Sequence, residues 1–373
     1  MMRHYEFERF ELSAALPCCI AEQDGYFWFP KLHRCDGTLL CLVATTADVA
    51  QGEWPAACYQ STDAGTTWTQ TREMHYSHAS VPQKPDQLLL LPYEFWPLSD
   101  RRQAARALGQ HCSVGRETDP QVSFETVRFL ELPRPLSRYA DAEVCLLSSA
   151  NVLRLDAEWI TTVYGRFENE SAFSVWCFVS LDQGLTWHYR STVAKGEAVQ
   201  TPEGASESCM ATLPDGRLLC IYRIGSGAKY CYAKSYSIDA GKTWTESELM
   251  PDMGSVAPQL LMLDNGALIL AGGRPGLHLW CSWDGSGKVW EHWDLGAHHN
   301  ALAAENVLLL ASYDEAPEQV AHVQSTHYLS LIGLSENELL VCYDWLSNGW
   351  QAAVPGHKNR VFTLRIRINE RKA

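Results

Sequence analysis

The sequence predicts an all-β protein, a six-bladed β-propeller, and three observations carry that expectation. An octet recurs along the chain, a second turn motif precedes it at a regular distance, and the two ends of the chain both read as half-buried strands. Apolar residues make up 46% of the 373 residues and charged residues 20%, enough to bury a large core and too apolar for a disordered chain.

The octets are Ser61-Thr62-Asp63-Ala64-Gly65-Thr66-Thr67-Trp68, Ser180-Leu181-Asp182-Gln183-Gly184-Leu185-Thr186-Trp187 and Ser237-Ile238-Asp239-Ala240-Gly241-Lys242-Thr243-Trp244. A degenerate copy runs from Ser282 to Trp290, with Asp284 and Gly287 at the matching places. Each reads as a hairpin turn: the Asp accepts bonds from the turn backbone, the Gly takes positive φ, and the Trp opens the next strand.

The second motif is Asp36-Gly37, Asp215-Gly216 and Asn265-Gly266, each followed by an apolar run, with weaker versions at Asp86-Gln87, Asp156-Ala157 and Glu336-Asn337. Two hairpin turns per unit, in constant order, mean four antiparallel strands per unit, and six anchors give six blades. Segments 7–12 and 361–368 alternate apolar with polar residues and are expected to close the ring by completing one blade. The predicted domain spans residues 5–370. Residues 95–140 read as an insertion in blade two, and the stretch 100–108, without β-branched residues, reads as about two helical turns.

Thirty basic against 44 acidic residues leave a charge of −14 with no Lys/Arg run, which argues against nucleic acid and membrane surfaces as partners. No apolar leader and no membrane-length stretch is present, and thirteen scattered cysteines without a C-x-x-C pair read as reduced and buried, so a cytoplasmic location is expected. No cofactor and no metal is expected.

If the blades are equivalent, residues at one offset from the anchors ring the axis. Nine before the anchor stand Trp28, His78, Ser148, Glu207, Ala257 and Tyr328, and seven after it Ala44, Glu94, Tyr164, Arg223, Gly273 and Asp344, with Arg274 one step beyond. Glu and Arg are rarely buried unpaired, so this ring calls for an ion-pair network or a ligand.

The octets resemble the Asp-boxes of the sialidase (neuraminidase) superfamily, and the resemblance extends over nearly the whole chain. It implies a propeller of the sialidase type, with the Asp-boxes on the face away from the active site. The segment Glu207 to Arg223 resembles the sialidase segment in which a Glu opens a blade and an Arg ends the next strand. Ser325 to Asp344 resembles the last-blade segment carrying a nucleophilic Tyr, and Gly272-Gly273-Arg274-Pro275 falls where a carboxylate-binding Arg is expected. The resemblance therefore implies an exo-sialidase in which Tyr328, assisted by Glu207, attacks the anomeric carbon of a terminal sialic acid or related carboxylated sugar held by Arg223 and Arg274. Chemistry agrees, because a phenol needs a neighbouring carboxylate to take its proton, and a neutral nucleophile is not repelled by an anionic sugar.

Two departures stand out. Trp28-Phe29-Pro30 replaces the family's Arg-Ile-Pro, so the first Arg is missing, with Arg34 and Arg166 as replacements from elsewhere. The family's acid, an Asp in blade one, has only Asp48 and Glu53 as counterparts. Trp28, Trp96 and Trp350 are candidates for stacking on sugar, and Asp344 for a polar contact. His75, His78, His298 and His299 near the axis mouth open a second possibility, a lyase acting on a uronate or plant polysaccharide with His, Tyr and Arg. Their spacing fits no compact zinc motif. A carbohydrate-binding propeller without activity is the third.

Overall fold

The computed structural model describes residues 2–50, 53–98, 102–115, 119–139, 143–225, 229–308, 323–347, 349–351 and 356–371. Strands dominate them, in six successive units. Unit one is Trp28–Cys35, Thr38–Ala44, Pro55–Ser61 and Thr69–Gln70; unit two is Ser77–Lys84, Gln87–Pro92, Ala105–Ser113 and Gln121–Leu130. Unit three is Leu146–Leu155, Glu158–Gly165, Ser174–Ser180 and Thr186–Ala194. Unit four is Ser208–Thr212, Leu218–Arg223, Tyr232–Ser237 and Glu248–Met250; unit five is Val256–Met262, Leu268–Gly273, Leu277–Ser282 and Glu291–Asp294. Unit six is Ser330–Gly333, Glu338–Trp345 and Lys358–Glu370, and the N-terminal strands complete it. Phe10–Ala15 pairs with one half of Lys358–Glu370 and Cys18–Asp24 with the other.

The first strands touch in a closed cycle, each meeting that of the next unit and the sixth meeting the first. Burial follows from this. Thr38–Ala44 is buried throughout, because Leu40, Leu42 and Ala44 face unit two while Leu39, Cys41 and Val43 face unit six. A strand covered on both faces reads as a continuous apolar run. Six apolar clusters fill the spaces between successive units.

Two expectations need correction. Among the described residues there are five sheets, not six separate ones, because Gln121–Leu130 pairs in parallel with Thr186–Ala194 and Glu94–Pro97 bridges Ala105–Ser113 to Leu146–Leu155. Seven strands of units two and three thereby close on themselves. The expected helix over 100–108 is absent where described: Ala105–Ser113 is a strand in which Ala105 and Ala107 are buried and Arg106 and Leu108 are exposed. Asp100 and Arg101 lie outside the described residues. Small residues matched helix propensity, but they are what packs against Val127 and Phe129, and tertiary packing overrode the local preference. Within 95–140, Ala105–Ser113 and Gln121–Leu130 therefore supply the third and fourth strands of unit two, and Glu94–Pro97 is additional to its four strands.

The octets are turns between third and fourth strands. Asp63 Oδ1 accepts from the backbone N–H groups of Thr66 (3.1 Å) and Thr67 (2.9 Å), Gly65 N donates to Ser61 Oγ (2.8 Å), and Trp68 Nε1 donates to Gly65 O (3.2 Å). Gly65 has φ of +83°, and a Cβ there would lie 2.7 Å from Leu340. The degenerate copy bulges by one residue and keeps the same bond, Gly287 N to Ser282 Oγ at 3.1 Å.

Although partial burial opposes ionisation of Asp63, its hydrogen bonds hold its pKa down at about 2, and those to Thr243 do the same for Asp239. Depressed folded values mean that these carboxylates contribute stability above about pH 4, which is lost as the pH falls toward about 2. Acid unfolding followed by circular dichroism should therefore be less steep over that window in Asp63→Asn than in the parent protein.

In a four-stranded antiparallel unit the first and third turns share one end. The octets and the Asp-Gly turns therefore lie together, and the starts of first strands and ends of second strands lie at the other end.

Candidate functional site

Glu207 immediately precedes Ser208–Thr212, and Arg223 ends Leu218–Arg223, so antiparallel pairing sets them side by side; Arg223 N donates to Glu207 O at 3.0 Å. Tyr328 enters from unit six, just ahead of Ser330–Gly333. Its hydroxyl donates a short hydrogen bond to Glu207 Oε1. Arg223 Nη1 lies 3.2 Å from that same oxygen and 3.3 Å from the Tyr328 oxygen. Glu207 Oε2 accepts from Ala257 N at 2.9 Å, a donor aimed by the positive φ (42°) of Ala257.

Burial opposes ionisation of Glu207, which is 6% exposed, but Arg223, the Tyr328 hydroxyl and the Ala257 N–H outweigh it and hold its pKa below the usual carboxylate value. The same burial, with the charge on Glu207, pushes Tyr328 well above an ordinary phenol against the pull of Arg223 and Arg274. A free phenolate is thus disfavoured, and the Tyr328 proton rests in the hydrogen bond to Glu207.

Sequence reasoning missed Glu203. Its carboxylate lies 2.8 Å from Arg223 Nε, as an ion pair too bent for a hydrogen bond, and accepts from Nη2 at 3.1 Å. Arg223 is therefore paired with Glu203 and Glu207. A Glu four residues before Glu207 carried no signal of its own, because only the loop closing onto Ser206 brings it back. Arg274 is buried beside the group: Nη2 donates to Thr326 O at 3.1 Å and its guanidinium lies 5.5 Å from the centre of the Trp350 ring.

Asp48 shares a cleft with Tyr328, lined also by Phe29, Trp54, Tyr76, His78 and Tyr93. The cleft holds about 30 Å³, one water molecule's share of liquid volume. Asp48 keeps solvent exposure at the mouth, yet desolvation of its carboxyl by the cleft walls and the charge on Glu207 raise its pKa against Arg274 and Arg223. Glu53 lies elsewhere. It is exposed, 3.8 Å from His75, and borders a separate groove with Trp96 and Arg106.

Trp28 and Asp344 do not line the cleft. Trp28 is 2% exposed, donates Nε1 to Thr46 O (2.9 Å) and packs on Trp350, so it offers no face to a sugar. Asp344 is fully buried and its carboxylate is saturated: Oδ1 takes Ser325 Oγ and Thr326 N, both at 2.8 Å, and Oδ2 takes Phe29 N (3.0 Å) and Thr326 Oγ1 (2.6 Å). It holds the chain leading to Tyr328 and touches no ligand surface. Because each oxygen meets one backbone N–H, Asp344→Asn must point its amide NH₂ at one of them whichever way it turns. We expect a loss of roughly 3 kcal/mol in thermal unfolding.

His78 donates through Nδ1 to Ser148 O (3.2 Å), and burial, reinforced by Lys31, drives its pKa well below the ordinary imidazole value. It remains neutral and a weak base. His298 and His299 are not at the cleft: His298 bonds Tyr5 and Ala15, and His299 bonds Tyr343 and Asn306. Arg34 is exposed and donates to Gly333 O, and Arg166 donates to Ser171 O. Among the described residues no group of three His, Cys, Asp or Glu is arranged to hold a metal, and no helix is long and apolar enough to cross a membrane.

Several known proteins share this architecture. A Dyadobacter fermentans protein of unknown function matches with a TM-score of 0.66 at 15% identity, over 96% of this chain and 99% of that one. Trypanosoma rangeli sialidase, solved with the inhibitor DANA, matches at 0.56 and 14% identity over 91% of this chain, which spans 55% of the sialidase. Penicillium chrysogenum α-L-arabinanase, solved with arabinobiose, matches at 0.57 and 12% identity over 94% and 98%. At such identities the likeness is one of fold. No curated protein sequence matches the chain. The BNR repeat-like domain matches residues 129–333, more than half of the sequence and all three of the later octets. The chain belongs to the BNR repeat-like domain family, and its fold is the one shared by the sialidase superfamily.

Proposed function

We propose that this protein is a retaining glycoside hydrolase of exo-sialidase type, built as one six-bladed propeller over residues 5–370. The observation that carries the reading is the buried cluster Tyr328–Glu207–Arg223 with Asp48 in the same cleft. Glu207 takes the Tyr328 proton as the phenolic oxygen bonds to the anomeric carbon, the glycosidic bond breaks, and Asp48 gives its proton to the leaving oxygen. Water then attacks the adduct, Asp48 takes its proton, and Glu207 returns a proton to Tyr328. The favoured substrate is a terminal sialic acid or related carboxylated sugar.

One observation favours a second reading, an exo-glycosidase for a neutral sugar. Glu203 already occupies the outer edge of Arg223, and a substrate carboxylate must displace it to gain a bidentate contact. Release of the fluorescent aglycone from aryl sialosides, against aryl arabinofuranosides and other neutral aryl glycosides, separates the two. Absence of turnover on every substrate overturns both.

The proposed acid has its own signature. Asp48 must be protonated to act, so activity should decline as the pH rises through its raised pKa. Asp48→Asn should remove that limb and slow substrates with poor leaving groups by about 10²–10⁴-fold, while sparing activated aryl glycosides.

A further inference from the structure

Beneath the cleft, on the axis, lies a second cavity of about 160 Å³, lined by Lys31, His33, His78, Cys209, Gln259 and Ser330 among others. Two matched irregularities build it. In unit one the pairing slips between Trp28 and Lys31, with Phe29 at φ 51°; in unit five it slips between Val256 and Gln259, with Ala257 at φ 42°. Each bulge re-aims the residue that follows it. Lys31 and Gln259 thereby meet, with Nζ donating to Oε1 at 3.3 Å.

Among the described residues no carboxylate is in contact with Lys31. Lys31 is 3% exposed, and its only polar partner among the described residues is that neutral amide oxygen. Glu207 is the carboxylate whose charge reaches it, but both Glu207 oxygens are already engaged by Tyr328, Arg223 and Ala257 N. The neighbouring imidazoles supply no negative charge, since His33 bonds Ser77 O and His78 bonds Ser148 O. A buried ammonium in contact with one neutral acceptor, and facing a carboxylate already engaged elsewhere, is poorly compensated for the water it has lost.

We propose that this axial cavity binds one monovalent anion of the halide class, held by the Lys31 ammonium and the Ser330 hydroxyl. Ser330 Oγ accepts from Leu32 N at 2.9 Å, which leaves its proton for an anion. The volume corresponds to roughly five water molecules and accommodates an anion with part of its hydration. A single cation calls for a single negative charge; a divalent anion would leave the cavity negative. Burial lowers the Lys31 pKa to about 8, against the opposing influence of Cys209 and Glu207, so the ammonium persists at neutral pH at a cost that an anion would offset. The inference does not depend on the glycosidase reading.

The test uses the full chain and sodium bromide, with sodium gluconate as the control at constant ionic strength. Bromide should raise the unfolding temperature saturably, and a bromide-soaked crystal should show an anomalous peak beside Lys31 Nζ. Gln259→Glu gives the ammonium an internal carboxylate and should abolish both signals while keeping the fold; Lys31→Met should do the same. If Lys31→Met does not fold, Gln259→Glu alone carries the comparison. No bromide peak in the parent crystal, or an undiminished bromide response in Gln259→Glu, overturns the proposal.

Discussion

Tyr328→Phe should lose at least about 10⁴-fold in kcat on any substrate the parent protein turns over, with ligand binding and thermal stability close to those of the parent. The substitution removes one oxygen. What remains is the same ring against Phe29, in edge contact at 5.0 Å between centres, so packing survives. Glu207 keeps Arg223 and the Ala257 N–H, so its charge stays compensated. Loss of rate without loss of binding is therefore what a nucleophile should show, and a covalent adduct separates it from an acid or base. A fluorinated sugar with an activated leaving group should label the parent protein on the peptide containing Tyr328, and mass spectrometry should find no label in the Phe variant. Hydrolysis by the variant near the parent rate would remove Tyr328 from the chemistry.

The second large effect is expected from Glu207→Gln, at about 10²–10⁴-fold in kcat, because an amide cannot take the phenolic proton. With the amide oxygen on Ala257 N, its NH₂ faces the Tyr328 hydroxyl, which can turn to accept, and Arg223, which keeps Glu203 at 2.8 Å, so the variant should stay folded. Its stability loss should fall short of the about 3–5 kcal/mol typical of stranding a buried charge. The pH profile adds a readout that a structural role would not move. Glu207 must be ionised to act, and its pKa lies below the usual carboxylate value, so the parent should lose activity only as the pH falls through that low value. The Gln variant should lack this acidic limb.

The repeats made most of the architecture readable. Ser61, Asp63 and Gly65 specify a turn through bonds that span four residues, and the strands on either side alternate or run apolar according to how many faces are covered. Counting anchors gave the number of units, and their register brought Glu207, Arg223 and Tyr328 to one end, because antiparallel pairing converts a constant offset into a shared position. The same counting could not show that units two and three share hydrogen bonds, since Gln121–Leu130 meets Thr186–Ala194 across more than fifty residues. Nor did composition reveal the strand at Ala105–Ser113, where small residues are required by the neighbours they pack against.

At the site the division is sharper. Sequence alone determined which residue types stand at the starts and ends of the inner strands, and therefore that a Glu, an Arg and a Tyr converge. Only tertiary structure decided what each one touches. Trp28 and Asp344 occupy the ring by register, yet one is buried under Trp350 and the other is spent on four hydrogen bonds. Asp48 and Glu53 are equivalent acids in the sequence, but only Asp48 lines the cleft with Tyr328. Glu203, which neutralises Arg223, and Lys31, which reaches Gln259 across the axis, depend on a loop closure and on paired bulges. Register is a local, periodic property and survives in one dimension. Charge pairing and burial depend on distances between segments far apart in the chain, and those exist only once the units have packed.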